Sequence, residues 1–218
     1  MHVLVMVKEP RPGRVKTRLV PPCTLEVAAD LATAALADTL DAVTRTGADR
    51  RIVALEGVPG LWLPEGFEVI PQAEGSLGER LDEAWSVVGG PGLQIGMDTP
   101  QITPGLLDGA LAHLADGTSC VLGDAEDGGW WAIGLQRAVP NLFGPVPTSR
   151  SDTGARQRDR CLALGLDVVD LPVLIDVDDF GDAQAVAAAA PHTRFGRAVT
   201  ALDLGAGQTP ASSAGELV

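Results

Sequence analysis

Between positions 8 and 18 the chain carries Lys8, Arg11, Arg14, Lys16 and Arg18, five of its sixteen basic residues and both of its lysines. Cations this close repel one another unless an anion or nearby carboxylates offset them, and Glu9 is the one acidic residue in the stretch. Pro10, Pro12 and Gly13 block a helix and let the backbone turn closely around something small. A phosphate group suits such a turn. The plainer alternative is a solvated loop whose charges pair weakly with acidic neighbours on the surface.

Aspartates supply the opposite charge. Asp98 follows Leu93-Gln94-Ile95-Gly96, and Asp176-Val177-Asp178 follows Pro172-Val173-Leu174-Ile175. In an extended segment residues two apart point the same way, so Asp176 and Asp178 aim at one point while Val177 faces the core. Converging carboxylates suit a divalent cation, Mg²⁺ or Mn²⁺. Magnesium takes one or two protein carboxylates and draws other ligands from water and substrate phosphates. With Lys16 and Arg18 on the remaining phosphate oxygens, the pattern describes a site for a metal-bound nucleotide. Asp179 and Asp182 have a simpler explanation as the cap and first turn of a helix, where the dipole favours negative charge. Phosphoryl-type transfer relies on positioning and charge stabilisation, so it needs no activated nucleophile. No Ser-His-Asp set is evident, and neither a Walker A sequence nor Gly-x-Gly-x-x-Gly follows the first apolar run.

These residues must be held by a scaffold, and the chain alternates strand and helix patterns. His2 to Val7 reads as a buried strand with the basic stretch at its C-terminal end, where ligands of open α/β sheets collect. Thr24 caps a helix to about Arg45, Arg51 to Leu55 is a second strand, and a short strand lies near Phe67 to Ile70. Ser76-Leu77-Gly78-Glu79 has capping-box spacing, and its helix turns Leu77, Leu81, Ala84, Trp85 and Val88 inward. Leu93 to Gly96 is a strand, and Thr103 with Pro104 opens another helix. Ser119 to Leu122 is strand-like and leads into a polar glycine loop, Gly123 to Gly129. Trp130 to Ile133 returns as a strand, with at least one of Trp130 and Trp131 in the core. A helix over Thr153 to Leu164, a strand near Val168-Val169 and an alanine-rich helix to about Ala190 complete the pattern.

Composition narrows the functions. The 218 residues are 45 % hydrophobic and 21 % charged, with a net charge of -13. That balance argues against nucleic acid as a partner, since such binding needs broad basic surfaces. No apolar run approaches the ~20 residues of a membrane span. Met1 leads almost directly into the first strand, leaving no room for a signal peptide, so the expected compartment is the cytoplasm. Cys23, Cys120 and Cys161 and the three histidines lack metal-ligand spacing. A single domain over residues 1–204 is expected, with a disordered Gly/Ser/Pro-rich tail over 205–218. The sequence leaves a homodimer open.

Five stretches, in order, carry a family resemblance: Pro12 to Leu19, Gly75 to Arg80, Gly96-Met97-Asp98-Thr99-Pro100, Ala125-Glu126-Asp127-Gly128-Gly129-Trp130-Trp131, and Asp176-Val177-Asp178. The chain resembles the GT-A-fold transferases of the DUF2064, or selenodomain-associated transferase 1, group. More distantly it is similar to 2-phospholactate guanylyltransferase and the molybdenum-cofactor nucleotidyltransferases. The resemblance implies a three-layer α/β fold, its sheet mixed but mostly parallel and flanked by helices on both faces. It also implies a nucleotide site made of the first loop and the Gly75 to Arg80 turn, namely Lys8, Arg14, Lys16, Arg18, Gly75 and Arg80. Asp98 becomes the DxD-like metal ligand with Asp178 as its partner and Asp176 beside it. Glu126, Asp127, Gly128, Gly129 and Trp130 face the second substrate, and Lys16, Asp98, Glu126 and Asp127 form the catalytic set. Met97 stands where the group usually has a small polar residue, and Phe180-Gly181 where it usually has Pro-Glu. The basic first loop favours nucleotidyl transfer from a nucleoside triphosphate to a phosphorylated small acceptor. Glycosyl transfer from a nucleotide-diphospho-sugar is the alternative, and a non-catalytic nucleotide-binding protein the third.

Overall fold

The computed structural model describes residues 1–202. The expected disordered tail, 205–218, lies outside the described residues. Strand β1 (His2–Lys8) sits inside a seven-stranded sheet, paired in parallel with β2 (Arg50–Glu56) on one side and β4 (Gly92–Ile95) on the other. Val3, Val5 and Val7 enter one core layer while Leu4 and Met6 enter the other. A strand covered on both faces reads as uniformly apolar, which is the pattern of its sequence. Adding β3 (Glu68–Pro71), β5 (Cys120–Ala125), β6 (Trp130–Leu135) and β7 (Val168–Leu174), the order is β3-β2-β1-β4-β6-β5-β7. Among the described strands only β6 runs antiparallel to its neighbours.

Helices cover both faces, as expected. Leu36, Leu40 and Val43 of α1 (Leu25–Thr44) and Leu107, Leu111 and Leu114 of α3 (Pro104–Ala115) pack on one face. Leu81 and Trp85 of α2 (Leu77–Val88) and Cys161 of α4 (Thr153–Ala163) pack on the other. The outer side of α1 is covered by α5 (Phe180–Ala189) and α6 (Arg194–Thr200), through Leu31, Val186 and Phe195. The caps follow the local chemistry: Thr24 accepts from Val27 N, Thr103 accepts from Leu106 N ahead of Pro104, and Ser76–Glu79 and Asp179–Asp182 form full capping boxes.

Four elements depart from expectation. Strand β5 continues through a bulge at Gly123/Asp124 to Ala125, so the polar loop starts at Glu126. Leu77, expected inward, is 39 % exposed, because at the first turn of α2 it faces the cleft described below. Strand β7 runs through Pro172, which an edge strand tolerates because one side of it has no ladder partner. Helix α6 has no strong sequence signature; the Asp38 carboxylate, 156 residues away from Arg194, accepts its first N–H groups at 3.0 and 2.8 Å. Among the described residues no helix is long and apolar enough to cross a membrane.

Candidate active site

Parallel register brings the last residues of β1 and β2 side by side, Lys8 opposite Glu56. Lys8 Nζ lies 3.4 Å from Glu56 Oε1, Arg14 from the basic loop reaches the same oxygen at 3.3 Å, and Arg80 from α2 reaches Oε2 at 3.0 Å. Three cations share one carboxylate, so the cluster keeps a net charge of about +2. Burial raises the Glu56 pKa and the cations outweigh it, leaving the carboxyl below its ordinary value. Arg80 also donates to Gln72 Oε1 at 3.0 Å, while Gln72 Nε2 donates to Val7 O and Ala54 O at 3.0 and 2.8 Å. Gln72 thereby ties the guanidinium to the ends of β1 and β2. Arg80 Nε is buried without a partner among the described residues. Glu56 and Gln72 were not among the expected site residues. Glu56 had a signal, since it ends Ile52-Val53-Ala54-Leu55 as Lys8 ends the first run; Gln72 had none.

A second cluster has the opposite sign. Buried Val15 and Leu19 pin the basic loop on either side of Lys16, whose backbone is left-handed at φ 48° and opens a short 3-10 turn, Thr17–Leu19. This conformation sends Lys16 inward. Its Nζ lies 2.8 Å from Asp98 Oδ1 and 4.0 Å from Asp178 Oδ1, and donates to the Val177 carbonyl. Val177 N donates to Asp98 O at 3.0 Å, joining the two aspartate loops. Arg18 pairs with Asp178 at 2.8 Å. Burial opposes the Lys16 charge, yet Asp98, Asp176 and Asp178 together hold its pKa above the ordinary lysine value. Burial and then Asp98 push the Asp176 carboxyl up to about 7 against the pull of Lys16, with Asp178 and Asp127 adding to the rise. The expectation that Lys16 faces an open phosphate site is therefore changed: its ammonium is engaged by carboxylates. Among the described residues no three acidic, histidine or cysteine side chains are already drawn together as a metal cage.

Both clusters open on one cleft of about 760 Å³, lined by Lys8, Arg18, Arg80, Asp98, Asp127, Gly129, Trp130, Asp176 and Asp178 among others. Arg14 and Lys16 line a smaller cavity of about 250 Å³ beside it, which shares Lys8, Arg18, Asp98 and Asp178. Trp130 faces the cleft while Trp131 is core, its indole donating to Pro172 O at 3.0 Å. Three expected residues stand elsewhere. Glu126 is exposed and outside the lining, Gly75 supplies the φ of +115° that precedes the α2 cap, and Gly128 packs on Ser151. Thr148, Ser149, Arg150 and Ser151, which carried no motif, do line the cleft. A separate groove of about 660 Å³ between α2 and residues 138–145 holds no basic side chain and neither charge cluster.

Over residues 27–150, more than half of the chain, the sequence matches the family described as "Uncharacterized protein conserved in bacteria (DUF2064)". The chain belongs to this family. Comparison of this DUF2064 protein with curated proteins gives no match. Among solved structures it is similar to a "putative nucleotide-diphospho-sugar transferase" from Desulfovibrio desulfuricans G20, at 26 % identity and a TM-score of 0.80, covering 91 % of this chain and 92 % of that one. A cytidylyltransferase from Leptospira borgpetersenii serovar Hardjo-bovis (strain JB197) shares 9 % identity at a TM-score of 0.53, with 91 % of each chain covered. Rv0371C from Mycobacterium tuberculosis H37Rv, in complex with manganese, shares 21 % at a TM-score of 0.50, covering 85 % of this chain and 96 % of that one. The fold is that of the nucleotide-diphospho-sugar transferases, in agreement with the expectation from the sequence.

Proposed function

We propose that this DUF2064 protein is a metal-dependent transferase that binds a nucleoside triphosphate and moves its nucleotidyl group to a small acceptor. The carrying observation is charge separation across the cleft and the smaller cavity beside it: Lys8, Arg14 and Arg80 gathered on Glu56, and Asp98 and Asp178 beside Lys16, with Asp176 lining the same cleft. Phosphate oxygens suit the first cluster, whose excess positive charge is fixed in place by Glu56 and Gln72. The second supplies hard oxygen donors, its three carboxylates outnumbering the cations Lys16 and Arg18, a donor set that fits Mg²⁺ or Mn²⁺. Bound there, such a cation would neutralise charge developing on the transferring phosphate and its leaving group. Without it, Lys16 keeps the carboxylates from repelling each other apart. Asp127, which lines the cleft, is the base assigned in this reading to the acceptor's attacking hydroxyl.

Glycosyl transfer from a nucleotide-diphospho-sugar is the second reading, favoured by the Desulfovibrio neighbour's name and by the Trp130 ring, which offers a sugar a stacking face. Pyrophosphate release from a panel of nucleoside triphosphates supports the first reading. Diphosphate release from a nucleotide sugar, without pyrophosphate, supports the second. A thermal-shift panel of both ligand classes with and without Mg²⁺ or Mn²⁺ tests the shared premise, since a ligand of the folded state raises its melting temperature. No metal-dependent shift with any of them would overturn both readings.

A further inference from the structure

The cleft has a wall that belongs to neither charge cluster. Thr148, Ser149, Arg150 and Ser151 line it together with Asp98 and Trp130. Their segment is fastened to the Glu126–Gly129 loop backbone to backbone: Gly154 N donates to Gly128 O at 2.8 Å. A Cβ on Gly154 would lie 2.5 Å from Gly129 O, and one on Gly128 would collide with the Ser151 carbonyl. Neither glycine leaves room for a methyl group, so the two segments act as one rigid surface.

The cations of the cleft differ in what they already hold. Lys8 and Arg80 are taken by Glu56, and Arg18 by Asp178. Arg150 spends only its Nε, which donates to Asp152 Oδ1 at 2.9 Å, and its two terminal amino groups have no hydrogen-bond partner among the described residues. Asp152 is also held by Arg156 at 2.7 Å, and the two arginines keep its carboxyl well below the usual range. The group of three therefore retains one positive charge, and the Asp152 contact orients the guanidinium instead of neutralising it. A planar guanidinium with both terminal amino groups free matches the two oxygens of a carboxylate or phosphate, and three hydroxyl side chains stand beside it in sequence.

We infer that this wall is a subsite for an anionic group on the acceptor, a phosphate or a carboxylate, gripped by the terminal amino groups of Arg150. The inference deepens the transferase reading and rests on it for the word acceptor; the anion site itself rests on Arg150.

The test is calorimetric titration of the full-length chain with three probes on one carbon skeleton: glycerol 3-phosphate, glycerate and glycerol. The wild type is expected to bind at least one of the two anions and not glycerol, and the preferred anion tells phosphate from carboxylate. Arg150→Met is expected to weaken that binding about tenfold or more, the loss of a two-point charge-assisted contact. Its unfolding midpoint and its titration with magnesium nucleotides are expected to match the wild type, because Arg150 is exposed and is not among the cations paired with Glu56. Equal anion binding by wild type and variant, glycerol binding as tightly as the anions, or binding of neither anion would overturn the subsite. If no nucleotide binds while Arg150-dependent anion binding persists, the transferase reading falls and the anion site stands. If nucleotides bind and anion binding ignores Arg150, the subsite alone falls.

Discussion

Replacing Lys16 by Met removes an ammonium that pairs with Asp98 and lies 4.0 Å from Asp178, a carboxylate it shares with Arg18. The Lys16 side chain is only 9 % exposed, whereas those of Asp98 and Asp178 are 33 % and 42 % exposed. Removing one partner of a fully buried ion pair costs about 3–5 kcal/mol, because the other charge is left uncompensated. Water reaching Asp98 and Asp178 discounts that figure, so the expected loss is about 2–3 kcal/mol. For a chain of this size it lowers the melting temperature by about 4–12 °C. The assay is thermal unfolding followed by circular dichroism at pH 7.5 in the presence of a chelator. Asp98→Asn in the same background should restore part of the loss, since it removes one of the stranded charges; the double-mutant cycle isolates that coupling. Adding Mg²⁺ or Mn²⁺ should raise the midpoint of Lys16→Met more than that of the wild type, as the cation takes over the missing positive charge. An unchanged midpoint for Lys16→Met, or strict additivity with Asp98→Asn, would refute the claim that this lysine neutralises the acidic cluster.

Further outcomes follow from other contacts. His2 is buried against the edge of Trp85, its Nε2 has no partner among the described residues, and burial followed by Arg50 pushes its pKa down to about 4 from 6.5. The unfolded chain takes up a proton that the folded chain refuses, so stability is complete above pH 6.5 and falls by about 3 kcal/mol on the way to pH 4. Urea unfolding at several pH values should show this slope flattened in His2→Phe; equal slopes would exclude His2 as the cause. Arg80→Met should weaken magnesium-nucleotide binding about tenfold in calorimetry, the cost of one lost charge-assisted contact, and an unchanged isotherm would remove Arg80 from the phosphate site. Gly154→Ala should destabilise the fold by about 3 kcal/mol in urea unfolding, because its methyl group would press on the Gly129 carbonyl. An unaffected midpoint there would show that the two cleft segments are not in direct backbone contact.

Much of this protein can be read along the chain, and the readable part is the local part. A helix cap joins residues three apart, so Ser76–Glu79, Thr103–Leu106 and Asp179–Asp182 announce their helices without reference to anything distant. A central strand is apolar on both sides, so His2 to Val7 identifies itself, and with it the edge of the sheet where Lys8 and the basic loop must lie. The signs of the charges that face the cleft are equally plain from composition. Which charge meets which is another matter. Glu56 collects Lys8, Arg14 and Arg80 only because β2 lies parallel to β1 in one particular register and α2 returns beside them. Lys16 turns away from the cationic loop to join Asp98 and Asp178 because a left-handed residue between two buried anchors aims it there. Arg150 reaches the cleft because Gly128 and Gly154 let two backbones touch. Each of these pairings joins residues tens of positions apart, and hydrophobic periodicity carries no information about partners across such distances. The order of strands and the packing of the loops at their ends select them, and those emerge only when the whole core has closed.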